Sequence, residues 1–450
     1  MDHPKSDVQT VDKYLAPNIP QGKTLNELLK QRKYNVLFFL SLFVVGLFNN
    51  NGYVMVGSAS SDLSIQFGKE NLMPMFQLSL ILFSSLTRFV NAKYLIKVKH
   101  MTRMCINTVL MAVGFIVISF ACTYSAHVAS FYVSLLASVV LGTVSAFGES
   151  TTLGFCKGFP STVVGYFGSG TGFAGVFGSG SILILKSLGL DNGTIFFIIT
   201  PTVVPYILAF WWINTMKGKY PYIPEQSSDQ SPRTQHFSSL DTEDVALTNP
   251  VPVAAPANPA DFDEAKGNKQ LSMELLKQLV KKVGFFQFNL GAVYFLEYMC
   301  LTSFADRFSV KMNEAYPEHK HEWVYKNGYV IFTFCYQIGV FMSRSSLSLI
   351  KVPRVEIMTI LQLINFMFFL MNTIFLFLPN FYVGFVFMVW VGLMGGGSYV
   401  NVMYQILECP NLAKSEKELA LTLTTVCNDI GILSASLMSL LLANTAFSSK

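Results

Sequence analysis

The chain has 450 residues, of which 52% are hydrophobic and only 13% charged, and its mean hydropathy is +0.44. That composition excludes an ordinary water-soluble domain and points to a polytopic membrane protein. The net charge of +5 comes from basic residues clustered between apolar runs, which reads as membrane topology and not as a nucleic-acid-binding face.

Residues 1–33 are polar, carry Pro17 and Pro20, and contain no apolar run of the kind a cleavable signal needs, so the first span is expected to direct its own insertion. Apolar runs then predict helices at about 34–58, 73–96, 104–125, 129–155, 163–186 and 194–215, each able to cross roughly 30 Å of hydrocarbon. A polar segment, 216–281, separates these from runs at about 283–303, 328–350, 355–378, 381–405 and 418–444. The expected fold class is all-α, with about 11 transmembrane helices split six and five. The domains are then an N-terminal tail (1–33), a six-span half (34–215), a linker with a short amphipathic helix (216–281) and a five-span half (282–450).

With the N-terminus in the cytosol, the short-loop basic residues Lys97, Lys99, Arg103, Lys157, Arg344, Lys351, Arg354, Lys414 and Lys417 all fall inside, against Lys69 and Lys186 outside. The C-terminus then lies on the far side. From 224 to 269 the linker is rich in Pro, Ser, Ala and Asp and poor in aromatics, a disordered composition. Just before it, Tyr220-Pro-Tyr-Ile223 fits the tetrapeptide read by trafficking adaptors. The sequon at Asn192 lands outside and is a candidate glycosylation site. The outer-loop stretch EHKHE, residues 318–322, has the composition of a metal or acid sensor and equally that of a solvated loop. Seven scattered cysteines without a CxxC pair indicate neither a disulfide framework nor a zinc site, and no cofactor is expected.

In the fifth run, Gly170, Gly172 and Gly175 spell GxGxxG, but no strand precedes them and an apolar run follows, which excludes a dinucleotide loop. On a helix Gly165, Gly168, Gly172 and Gly175 form one stripe, predicting a close helix contact. The pentapeptide ELLKQ occurs at 27–31 and again at 274–278, at the start of each half, as expected of a parallel repeat of six-span units on the major-facilitator plan.

In that plan the first, fourth, seventh and tenth spans line a cavity. Here they carry Asn49, Asn50 and Tyr53, then Glu149, then Tyr294 and Glu297, then Tyr399 and Asn401. Ionisable groups in hydrocarbon are costly unless they face water or a partner, so Glu149 and Glu297 are pathway candidates. For Glu149 a structural pair with Arg88 is the competing reading. Arg344 either snorkels to the interface or turns its planar fork to the cavity, where it suits a phosphate or carboxylate. Asp429 is a further intramembrane charge, and Arg88, Arg344 and Asp429 are grouped as charge-pairing or gating candidates.

The stretches GLFNNNGYVMVGSASSDL (46–63), YFLEY (294–298), YQIGVFMSRSSL (336–347), GLMGGGSYVN (392–401) and NDIG (428–431) resemble the battenin family, lysosomal or vacuolar membrane proteins linked in humans to Batten disease. The resemblance implies an eleven-helix fold related to major facilitators. It also implies residence in lysosomal or vacuolar membranes and roles in organelle pH, basic amino acid balance and clearance of glycerophosphodiesters. Two function classes follow: a solute transporter, proton-coupled through Glu297 or Glu149, or a non-transporting organiser that recruits trafficking partners. The expected partners are a small-molecule substrate, the lipid bilayer and adaptors, with no nucleic acid. The chain has neither HExxH nor GxSxG, so an enzyme is not indicated.

Overall fold

The computed structural model describes residues 24–95, 97–156, 159, 161–220, 273–346 and 350–447. The tail to residue 23, most of the expected linker, the adaptor-type motif beyond Tyr220 and the last three residues lie outside the described residues. Among the described residues every regular element is helical.

Helix α1 (Leu25–Lys30) is the first ELLKQ copy. It opens on a reciprocal cap in which Thr24 Oγ1 accepts from the Glu27 N–H at 3.4 Å while Glu27 Oε2 accepts from the Thr24 N–H at 3.3 Å. The first span is α2 (Arg32–Gln66), whose 35 residues reach about 52 Å at 1.5 Å per residue and so overshoot the hydrocarbon. The second span is broken at Leu82 and Phe83 into α3 (Pro74–Ile81), with proline in its first turn, and α4 (Ser84–Lys93). Then come α5 (His100–Thr123), α6 (Val128–Cys156) and α7 (Ser161–Ser187). The sixth span is α8 (Asn192–Ile199) and α9 (Val203–Lys219), joined through a tight turn, Thr200–Thr202, in which Pro201 lacks an N–H.

In the second half α10 (Met273–Met299) passes through one π-helical turn, Cys300–Phe304, into α11 (Ala305–Ala315). After the short α12 (Trp323–Lys326) come α13 (Gly328–Ser345), α14 (Glu356–Phe375), α15 (Phe381–Glu408) and α16 (Lys414–Asn444). Nine helical segments among the described residues are long and apolar enough to cross a membrane. The expected seventh and eighth spans are helical, as α10 and α13, but stand outside those nine. Gln287, Asn289, Glu297, Gln337 and Arg344 make them more polar, so a count of eleven depends on admitting these two.

Two apolar cores form. The first draws on residues from Leu25 to Ile213 with Val330, and the second on residues from Leu279 to Ala435 with Ile81. The halves meet where α7 packs on α13 and where α3 packs on α16.

Within the halves, glycine permits the closest crossings. A methyl group on Gly46 would come within 2.4 Å of the Phe167 carbonyl oxygen, and one on Gly170 within 2.1 Å of that of Phe43, so α2 and α7 touch backbone to backbone. The expected stripe is therefore corrected. Gly165 and Gly168 meet nothing within 4 Å, and Gly172 has only ordinary contacts with Phe341 and Arg344. Gly175 alone of the four is tight, with Gln337 Oε1 2.0 Å from where its side chain would begin. Periodicity found a true helical face, but Gly170, which α2 needs, points elsewhere on the cylinder.

Candidate functional site

Where the two halves face each other they enclose a cavity of about 140 Å³, room for several waters or part of a small solute. Its lining includes Asn50, Tyr53, Arg88, Glu149, Tyr294 and Tyr298 with Tyr336, Arg344, Tyr399 and Asp429. Helices from both halves contribute, and the charged groups sort into two unlike settings.

Arg88, on α4, is neutralised twice. Its Nη2 donates to Glu149 Oε2 at 2.9 Å within its own half, and its Nη1 donates to Asp429 Oδ2 across the cavity. Ser85 Oγ also donates to Asp429 Oδ2, at 2.7 Å. The competing reading of Glu149 as a structural partner of Arg88 thus describes its geometry. Glu149 also lines the cavity.

Arg344, on α13, turns inward. Its Nη2 donates to Tyr294 Oη at 3.2 Å, its guanidinium lies 4.8 Å from the centre of the Tyr399 ring, and its buried Nε has no hydrogen-bond partner among the described residues. No carboxylate pairs with it among the described residues. The tyrosines continue around the wall: Tyr294 and Tyr298 stack at 6.2 Å, and Tyr298 meets Tyr53 across the halves, oxygen to oxygen, at 3.3 Å. Gln77 donates in turn to Tyr53 Oη.

Glu297 lies one layer behind this wall and not on it, a correction to its expected place facing the cavity. It is 1% exposed, and Tyr336 Oη, which does line the cavity, donates to Glu297 Oε1 at 3.0 Å. Glu297 Oε2 is buried without a partner among the described residues and occupies the space left by Gly395, where a methyl group would fall 1.6 Å from it. The π-helical turn begins three residues later, a distortion often found beside functional groups.

Two more expected cavity residues belong to the frame. Asn49 donates to the Ser145 carbonyl at 2.9 Å and accepts from Tyr206 Oη at 3.0 Å, tying α2 to α6 and α9 behind the wall. Asn401 accepts from the Val352 N–H at 2.7 Å and donates to the Gly397 carbonyl at 2.8 Å. Asn192, the candidate glycosylation site, is 7% exposed and its amide nitrogen donates to Gln66 Oε1 at 2.7 Å.

At the end of the bundle carrying Gln66 and Trp323, further bonds join the halves. Ser61 Oγ donates to Asp306 Oδ1 at 2.7 Å, Ser60 Oγ to Tyr329 Oη at 3.3 Å, Trp323 Nε1 to Ser187 Oγ at 2.7 Å, and Asn71 Nδ2 to Asn444 Oδ1 at 2.7 Å. Sequence reasoning missed these, along with Tyr298 and Tyr336. One signal was available: Tyr53 and Tyr298, like Ser61 and Asp306, stand 245 positions apart, close to the spacing of the two ELLKQ copies. Residues related by the repeat face each other across the axis between the halves.

The fold is that of known transporters. The chain superposes with a TM-score of 0.56 on a bacterial homologue of the human lysosomal transporter Spinster in its inward-facing, unoccupied conformation, at 13% identity over 93% of this chain and 84% of that one. Against a D-xylose-proton symporter the TM-score is 0.57, at 9% identity over 91% and 90% of the two chains. Among curated proteins it is 30% identical to battenin of Dictyostelium discoideum over 414 residues, which is 92% of this chain and 95% of the relative. It is 27% identical to protein BTN1 of Yarrowia lipolytica over 90% of this chain and 93% of that protein. Residues 40–448 match the CLN3 protein family. A multi-pass helical membrane protein with two facing halves, it belongs to the CLN3 protein family.

Proposed function

We propose that the chain is a solute transporter of the lysosomal or vacuolar membrane. It moves a small solute of the glycerophosphodiester or basic amino acid class through the cavity between its halves and supports organelle pH. The observation that carries this reading is the polar cavity itself, since a membrane anchor gains nothing from burying arginines and carboxylates between its halves. The relatives and structural neighbours agree in kind: battenin among the first, a lysosomal transporter homologue and a proton symporter among the second. In the proposed orientation the N-terminal tail and the 216–281 linker are cytosolic, available to trafficking adaptors, and the C-terminus is lumenal.

The route for coupling is the Glu297–Tyr336 pair. Glu297 holds or releases a proton out of contact with water, and the Tyr336 hydroxyl connects it to the cavity. Glu297→Gln keeps the size and the bond from Tyr336 but removes the proton site. In reconstituted vesicles loaded with candidate solutes, the variant is expected to fold and to lose the dependence of uptake on a pH gradient. Identical pH profiles for the two proteins would remove Glu297 from the mechanism.

A further inference from the structure

The two intramembrane arginines of the cavity are copies of one position. Arg88 follows Leu80 in the second span by as many residues as Arg344 follows Tyr336 in the eighth. Leu80 and Tyr336 are equivalent because each lends its carbonyl to a glycine on the facing span, a methyl group on Gly142 falling 1.9 Å from Leu80 O and one on Gly392 falling 2.0 Å from Tyr336 O. The groups opposite the two arginines obey the same relation. Glu149 follows Gly142 on α6 by two helical turns, and Tyr399 follows Gly392 on α15 by the same number of residues. Gly46 on α2 faces the carbonyl of Phe167 and its counterpart Gly291 on α10 faces the carbonyl of Cys427; two residues beyond Cys427 stands Asp429, and two beyond Phe167 stands Ser169.

The repeat therefore gives Arg88 a glutamate and an aspartate, and puts a tyrosine and a serine at the corresponding positions for Arg344. A guanidinium kept from bulk water without a carboxylate is costly unless an anion arrives. Arg344 has this deficit on a cavity wall, with one buried N–H unpaired among the described residues and its guanidinium 4.8 Å from the centre of the Tyr399 ring. The cavity carboxylates Glu149 and Asp429 are already committed to Arg88.

We infer that Arg344 is the specificity-determining residue of the cavity, selecting solutes that carry an acid group, phosphate or carboxylate, which fills the place its counterpart Arg88 gives to Glu149 and Asp429. This inference rests on the cavity being the solute site of the proposed transporter. It favours acid-bearing solutes over purely cationic ones, because both carboxylates among the described cavity residues are already paired with Arg88.

The test is binding, measured apart from transport as the melting temperature of the purified full chain in detergent, with glycerol 3-phosphate, succinate or lysine amide as probe. Wild type is expected to respond saturably to at least one of the two acids and not to lysine amide. Arg344→Gln should weaken that response about tenfold or more, the usual scale for losing a charge-assisted hydrogen bond. A second variant supplies the missing acid from the chain. Gly172 faces the Arg344 stem, Cδ lying 3.8 Å from where its side chain would begin, so Gly172→Asp should occupy the guanidinium and abolish acid binding, while the uncharged Gly172→Asn keeps it. An unchanged acid response in either Arg344→Gln or Gly172→Asp would overturn the inference, as would saturable stabilisation of wild type by lysine amide alone. Acid binding that follows this pattern without uptake in vesicles would count against transport and leave the site standing. Uptake confined to cationic solutes would do the reverse.

Discussion

The two halves share a scaffold and differ in chemistry. In each, a glycine on the first span meets the fifth helix of its half and a glycine on the fourth meets the second: Gly46 and Gly142 in one half, Gly291 and Gly392 in the other. What hangs on those crossings has diverged. Arg88 of the first half sits in a closed ion-pair cluster with Glu149 from its own half and Asp429 from the other, whereas among the described residues Arg344 of the second half has no carboxylate partner and Glu297 Oε2 no donor. The difference lies between the two arginines: Arg88 is held in an ion-pair frame that ties the halves together, and Arg344 is the one that the proposed function would offer to a solute.

The largest expected effect tests the shared part. A methyl group at Gly142 or Gly392 would sit 1.9 to 2.0 Å from a backbone carbonyl that cannot rotate away. Overpacking of this kind costs about 3 kcal/mol or more, so Gly142→Ala and Gly392→Ala should each lose most of the folded protein. Gly168→Ala, with nothing within 4 Å, should melt as wild type does. The readout is monodisperse yield and melting temperature after detergent extraction. A stable Gly392→Ala protein would break the equivalence of the halves at its foundation.

Next in size is the contrast between the arginines. Arg88→Gln leaves Glu149 and Asp429 uncompensated in a partly buried site and should cost about 2 kcal/mol or more, less than a fully buried pair because the cavity admits water. Asp429→Asn in the same chain should recover part of that loss, a coupling a double-mutant cycle would measure. Arg344→Gln removes a cation that no carboxylate among the described residues balances and should leave melting within about 1 kcal/mol of wild type, or raise it. Equal destabilisation by the two substitutions would mean that Arg344 is part of the frame as well.

Much of this frame was legible in the sequence, for reasons that the particular residues make plain. Apolar runs located the helices because hydrocarbon tolerates little else over that length. The repeat was visible as ELLKQ. The cost of a buried charge pointed to Arg88, Glu149, Arg344 and Asp429, all of which line the cavity. Placement within a helix was harder. Asn49 and Asn50 are adjacent, yet they point about 100° apart, one to Tyr206 and one to the cavity. Glu297 and Tyr294 lie about one turn apart, but Tyr336 from another helix covers the glutamate, and no local pattern reports that. The glycine stripe failed similarly, since which face of α7 meets α2 is decided by Gly46, more than a hundred residues upstream.

The smallest expected effect lies outside the membrane, where the halves differ again. The loop after the first span, 67–73, has no histidine, whereas the loop after the seventh carries His319 and His321. His319 Nδ1 lies 2.6 Å from Glu322 Oε1, its ring stacks on Tyr325 at 5.4 Å, and the bond to the Glu322 carboxylate holds its pKa above the ordinary 6.5. Because the folded value is the higher one, the stabilisation is fully present below the unfolded pKa and is lost as pH rises through the folded pKa. His319→Gln should therefore melt below wild type at about pH 5.5 and together with it at about pH 8.5, where histidine is neutral in both states. The shift should be small, since the pair is solvated, and it should shrink further in high salt. A difference independent of pH would mean that His319 acts only through its packing on Tyr325, and the asymmetry between the two loops would then be one of shape and not of charge.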